Sequence, residues 1–257
     1  MLLYYCKGET KPPSNTTYKH SMNGPKHEPR RGDPTMKKYT ITNDEKKWLS
    51  DGNEKLKPNE KVKFLIWNLP AIKTCPFRTA LCEKFCYARK AEMQYKNVCP
   101  QRRHMNLNAS LYDDFVANMV RIISYHITNR PTFRKAKKVV VRIHESGDFY
   151  SREYAKKWLA IAKHFQDNDK IVFMAYTKSV EFFKGEDIPK NMVVRFSLWD
   201  DTDMKQAMIS AMMGLPIYTA VEKFTDEPKI ERCSCVDCGT CGKCWNKNIK
   251  TLKCEIH

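Results

Sequence analysis

The chain has 257 residues, enough for one large α/β domain or two small ones around a sizeable core, and no run of about 18 apolar residues that would read as a membrane helix. Its formal net charge of +17, from 46 Lys and Arg against 29 Asp and Glu, favours contact with a polyanion such as nucleic acid, or else a solvated lysine-rich surface. Eleven cysteines in a chain this long, most of them in two tight clusters and with no secretory h-region at the start, point to metal ligation in a reducing compartment rather than to a disulfide scaffold.

Residues 1–35 hold Lys, Asn, Ser, Thr, Gly and Pro with few aliphatic side chains after Leu3, and read as a disordered basic arm. Residues 36–222 read as an α/β domain, and 223–257 as a Cys-rich metal-binding extension. Within the domain, short apolar runs at 62–67, Val139–Ile143, Ile171–Tyr176, Met192–Ser197 and Pro216–Ala220 are strand candidates. Helical patterns separate them. One carries Leu111, Phe115, Met119, Ile122 and Ile123, with Ser110 and Asp113 as a candidate cap. The next, Ser151–Phe165, keeps Tyr154, Trp158, Ile161, Ala162 and Phe165 on one stripe. A short one covers Val180–Phe183, and another, opened by Thr202, sets Met204, Met208 and Met212 on a face expected to be core.

Strands alternating with helices imply right-handed crossovers and a parallel sheet, and near-continuous apolar strands imply that both faces are covered. The fold class is therefore α/β, with a partial or complete (β/α) barrel expected and an open doubly wound sheet as the alternative. No Gly-x-Gly-x-x-Gly follows any strand, which lowers the dinucleotide-binding option. In either architecture, function sits at the carboxyl ends of the strands.

Those ends carry the chemistry. After the first strand come Cys75, Cys82 and Cys86, three thiols on one loop that can hold three corners of a metal centre and leave a fourth open. After the second come His144, Glu145, Ser146, Gly147 and Asp148, where Gly147 permits close backbone approach and the carboxylates suit an ammonium or a ribose diol. The same residues also suit a tight turn, with Ser151 capping the next helix. Tyr176 and Lys178 follow the third strand, Asp200 and Asp201 the fourth, and Glu222 and Lys223 the fifth. Arg142 and Arg195 fall inside strand runs and should point into a polar cavity or a paired site. At the C-terminus Cys233 is followed by Cys235, Cys238, Cys241 and Cys244, and these last four form overlapping Cys-x-x-Cys units that suit an iron–sulfur cluster, with zinc as the alternative and Cys254 as a further ligand. The tail either holds its own centre or completes the first. Cys6 and Cys99 lack partners at ligand spacing and read as ordinary thiols.

Placed after the first strand of a βα repeat, Cys75, Cys82 and Cys86, with Phe85 beside the last, resemble a variant of the radical S-adenosylmethionine superfamily, although the spacing departs from its usual Cys-x3-Cys-x2-Cys. That resemblance implies one or two [4Fe–4S] clusters, S-adenosylmethionine held near His144–Asp148 with Tyr176 or Lys178 facing substrate, and a reductant protein as partner. A second resemblance covers roughly residues 60–245. Cys75-Pro76, Cys86-Tyr87-Ala88, Arg142–Ser151 with Tyr154 and Trp158, Tyr176–Ser179 and the Cys-rich end look like the phage gene-product-eighty-eight family. It implies a viral or prophage origin and a setting in the host cytoplasm. A non-catalytic metal protein that binds nucleic acid or responds to redox state is the reading from the other class.

Overall fold

A computed structural model describes residues 39–53, 56–221, 230–233 and 237–255. The arm expected over 1–35 lies outside them, as do Glu222, Lys223 and Cys235. Seven strands form one sheet: β1 (Val62–Trp67), β2 (Lys138–Ile143), β3 (Ile171–Thr177), β4 (Met192–Leu198), β5 (Ile217–Val221), β6 (Glu231–Arg232) and β7 (Thr251–Glu255). Their order is β1-β2-β3-β4-β5-β7-β6, and every neighbouring pair is parallel. The sheet curls into a half-barrel, the partial form of the expected barrel. The Cys-rich segment contributes β6 and β7 to this same sheet, with β7 beside β5.

Five helices lie between β1 and β2: α1 (Ala80–Lys84), α2 (Tyr87–Gln94), α3 (Cys99–Leu111), α4 (Phe115–Asn129) and α5 (Pro131–Lys135). Then α6 (Arg152–His164) links β2 to β3, α7 (Met204–Met212) links β4 to β5, and α8 (Cys238–Cys241) precedes β7. Among the described residues no helix is long and apolar enough to cross a membrane.

Because side chains alternate along a strand, each strand serves two environments. Leu65, Trp67, Val139, Val141, Ile143, Phe173 and Ala175 face outward and bury against Phe115, Met119, Ile122 and Ile123 of α4 and Tyr154, Trp158 and Ile161 of α6. The Ser151 hydroxyl caps α6 by accepting from the Tyr154 N–H, as its sequence suggests. Phe64, Ile66, Val140, Met174, Leu252 and Cys254 face inward and pack against Cys233, Cys238 and Cys244, so the C-terminal segment lies across the concave face.

Three local expectations fail. Leu111 closes α3 and is 61% exposed, because the chain breaks at 112–114 and α4 starts at Phe115. The Met204, Met208 and Met212 row is solvent-facing, at 73%, 60% and 77% exposure. The buried face of α7 carries Gln206, Ile209 and Ser210, and the Gln206 side-chain oxygen accepts from the Glu181 N–H. Cys99 is disulfide-bonded rather than an ordinary thiol.

Candidate functional site

The inner face and the carboxyl ends of the strands enclose a cavity of about 620 Å³. Among the described residues, seven cysteines line it: Cys75, Cys82 and Cys86 from the loop after β1, and Cys233, Cys238, Cys244 and Cys254 from the C-terminal segment. The two clusters, more than a hundred residues apart in sequence, thus share one space. Cys241 does not line this cavity and instead borders a shallow pocket with Gly242 and Lys243.

The loop wall is stitched to the strand ends by side chains. Thr79 caps α1 by accepting from the Cys82 N–H at 3.3 Å, and the Leu81 N–H donates to Asp201 beyond β4 at 2.7 Å. The Tyr87 hydroxyl donates to the Glu145 carbonyl beyond β2 at 2.5 Å, and Phe85 stacks on Trp199 with centroids 6.3 Å apart. Cys75, Cys82 and Cys86 remain half-buried at this wall.

The C-terminal wall is held from below. Arg195, fully buried on β4, donates to the carbonyls of Cys244 (2.8 Å), Ile249 (2.9 Å), Lys243 (3.0 Å) and Asn246 (2.9 Å). This is the paired site expected for a strand arginine. On the neighbouring strand Tyr176 hydrogen-bonds the Cys244 sulfur and stacks on Tyr218 at 4.4 Å. Cys254 sits on β7 opposite Ala220, buried. Its signal was the alternation of Leu252 and Cys254 between polar neighbours, which marks a half-buried strand.

His144–Asp148 divides between the two faces. The His144 imidazole, at positive φ (63°), turns toward the helix side, where Nε2 bonds the Tyr154 hydroxyl at 2.8 Å and the ring packs on Phe149. Burial, reinforced by the Arg142 charge, pushes its pKa down to about 3. The Ser146 hydroxyl donates to the Leu69 carbonyl. Gly147 (φ 81°) lies so close to the loop before Cys75 that a Cβ there would stand 2.5 Å from Thr74 Oγ1. The Asp148 carboxylate accepts from the Thr177 hydroxyl (2.6 Å), the Lys178 N–H (2.9 Å) and the Phe149 N–H (2.7 Å), joining the ends of β2 and β3. Burial raises its pKa against those bonds, and burial also raises that of Glu145. Glu145 borders the cavity, with its carboxylate bonded by Asn53. Lys178 donates to the Ser197 carbonyl at 2.8 Å, lies 5.3 Å from the Trp199 ring centre, and is pushed down to about 8 by burial.

Of the expected cofactor-binding residues, Glu145, Tyr176 and Lys178 present side chains to the cavity, whereas the side chains of His144, Ser146 and Asp148 are engaged in holding strand ends and loops together. Among the described residues no three His, Cys, Asp or Glu side chains are already drawn together as a metal site. The thiols do sense one another. Burial raises Cys75, with Asp148, Cys82 and Cys86 adding to it, and burial raises Cys82 against the opposing pull of Lys178. Cys244 is raised well above an ordinary thiol, first by its hydrogen bond with Cys233 and then by burial.

Fold and site together define a parallel half-barrel protein with a cysteine-walled cavity at its strand ends. Residues 45–233, more than half of the chain, match the family model described as Gene product 88, and the chain belongs to that family. Two curated relatives, the Gene 88 proteins of Mycobacterium phages D29 and L5, are each 32% identical, over 108 and 114 residues. Both alignments cover 41% of this chain, and 42% and 43% of the respective relatives, so the chain spans about two fifths of the length of the curated relatives it matches. No solved structure matches.

Proposed function

We propose that this is an iron–sulfur protein that works in the host cytoplasm, with two cysteine groups facing one reaction cavity. The single observation that carries this reading is the convergence of Cys75, Cys82 and Cys86 with Cys233, Cys238, Cys244 and Cys254 on one enclosed space. Buried thiols crowded together hold their protons; a cation is what turns such a group into thiolates. Four buried cysteines in the C-terminal wall suit a fully ligated [4Fe–4S] centre. Three half-buried cysteines in the loop suit a second one with an open position. A cluster with an open position supplies one-electron reduction of a bound ligand, S-adenosylmethionine in the radical-enzyme version.

The chain's own residues then have distinct tasks. Glu145 holds a cationic group of the ligand, and Tyr176 and Lys178 bound the space beside it. Lys178, partly neutral near pH 8, can give up or take a proton at Nζ. Phe85 and Trp199 close the apolar side and exclude water.

Anaerobic purification followed by iron, sulfide and zinc analysis tests the proposal. Brown protein is expected, losing part of its iron in Cys82→Ser and a different part in Cys244→Ser. Colourless protein with zinc alone would sink the iron–sulfur reading and favour structural zinc, for which the four buried cysteines are suited. The radical version further requires 5′-deoxyadenosine from the reduced protein and S-adenosylmethionine. The excess positive charge favours a second, non-catalytic reading in which the protein binds nucleic acid; affinity that falls steeply with salt and needs the metal would support it.

A further inference from the structure

We propose that Arg142 is the recognition point for a carboxylate, and that the cavity takes a small monocarboxylic acid with an apolar body. Arg142 stands on the inner face of β2, 6% exposed, and borders the cavity. Its guanidinium lies 4.0 Å over the Tyr176 ring, which Tyr218 backs at 4.4 Å. The aromatic stack therefore covers one face of the guanidinium. No hydrogen bond or ion pair joins it to the described residues, and its Nη1 is buried without a partner.

Arg195 provides the internal control. It comes from β4 on the same inner face and spends its donors on four carbonyls. Arg142 is also buried and has no such partners among the described residues. A buried guanidinium is costly to leave unpaired, and its forked donors match the two oxygens of a carboxylate.

The rest of the cavity narrows the ligand. Glu145 already offsets part of the Arg142 charge and, with Asp148 on the same side, disfavours a phosphate dianion, so the ligand carries at most one negative charge. Leu56, Met174 and Ala220 give the remainder of the ligand an apolar surround. The volume of about 620 Å³ is that of a small-molecule site. The inference rests on the cavity and Arg142, and holds whether the cysteines carry iron, zinc or nothing.

Ligand-observed NMR titrations on the full chain test it, with sodium butyrate, inorganic phosphate and neutral butyramide as probes. Butyrate should bind saturably, with phosphate and butyramide at least about tenfold weaker. Arg142→Gln should weaken butyrate at least about tenfold, and Arg142→Lys less, since a lysine keeps the charge without the fork. Metal content and circular dichroism are measured on each variant; if Arg142→Gln does not fold, Arg142→Lys carries the comparison. Absence of saturable butyrate binding to the wild type, or phosphate binding as tightly as butyrate, overturns the proposal. So does butyrate affinity unchanged in a folded Arg142 variant; if that variant also loses metal, Arg142 serves to balance the charge of the cysteine centre.

Discussion

The two faces of the curled sheet are built on opposite rules. On the outer face, apolar strand residues meet apolar helix stripes, and Trp67, Phe115 and Trp158 pack in tilted and edge-to-face pairs with centroids 5.3–6.0 Å apart. On the inner face, the alternate residues of the same strands join Phe64, Ile66, Val140 and Met174 to Arg142, Tyr176, Arg195 and Cys254, and what they meet is a chain segment without long helices. The outer face gains its stability from buried area. The inner face combines a smaller apolar cluster with a few directional bonds around the cavity. One sheet can therefore be a rigid floor and a chemical wall at once, because the strand period of two separates the tasks.

If that division holds, single substitutions on the two faces should fail differently. The largest effect belongs to Arg195→Ala, which deletes four charge-assisted bonds, their worth of about 1.5 kcal/mol each being partly offset by relief of a buried charge. A loss of about 4–6 kcal/mol in chemical denaturation is expected. Native-state hydrogen exchange should show residues 243–249 released first. Trp158→Ala, in the middle of the outer core, should cost about 3–5 kcal/mol by leaving a cavity. It should nevertheless leave the accessibility of the inner cysteines to a thiol reagent unchanged in the folded protein. Equal exposure of those cysteines in both variants would break the comparison.

The outer face was legible from sequence because its signal is regular. The runs at 62–67, 139–143, 171–176 and 192–197 all lie within observed strands, and Trp158 and Tyr154 are buried where the helical stripe puts them. The inner face was legible only at its exceptions. Arg142 and Arg195 stood out because charge interrupts an apolar strand, and the cysteines because of their spacing. That Arg195 is satisfied and Arg142 is not depends on where the 243–249 carbonyls come to rest, a tertiary fact with no local signature. Periodicity also misled at α7, where three methionines marked the solvent face, since Gln206 found a polar partner beneath in Glu181. Convergence of the two cysteine groups follows from β7 joining β5, which a five-residue strand barely announces.

A pH experiment sharpens the boundary between the faces, because His144 belongs to the outer one. The folded protein keeps its imidazole neutral down to about pH 3, whereas the unfolded chain protonates near the ordinary value of 6.5. Acid therefore favours unfolding. This share of stability is complete above pH 6.5 and is lost as pH falls toward 3. Between pH 6.5 and 4 the loss amounts to roughly 3 kcal/mol from this residue alone. His126, pushed down to about 4 by its burial, adds a contribution over an overlapping range. His144→Asn tolerates the positive φ and does not titrate, so its stability should vary less with pH while the His126 share remains. An unchanged slope would place His144 in water and on the wrong face.

The smallest effect tests the seam where the faces meet. Gly147 turns from β2 into α6, and its φ of 81° already disfavours any side chain. A methyl group there would stand 2.5 Å from Thr74 Oγ1 and 2.7 Å from Leu69 Cβ. Thr74 cannot swing away cheaply, because its hydroxyl donates to the Pro70 carbonyl and its own carbonyl accepts from the Asp148 N–H. The residue after Thr74 is Cys75. Gly147→Ala should therefore cost about 2 kcal/mol in urea denaturation, a sum of overpacking and backbone strain. It should also push the 70–75 loop outward, raising the reaction rate of Cys75 with a thiol reagent while Cys254, on the far wall, stays protected. Stability lost with Cys75 unchanged would mean that the strain relaxes toward the outer core, and that the loop wall is held by Tyr87 and Thr79 instead.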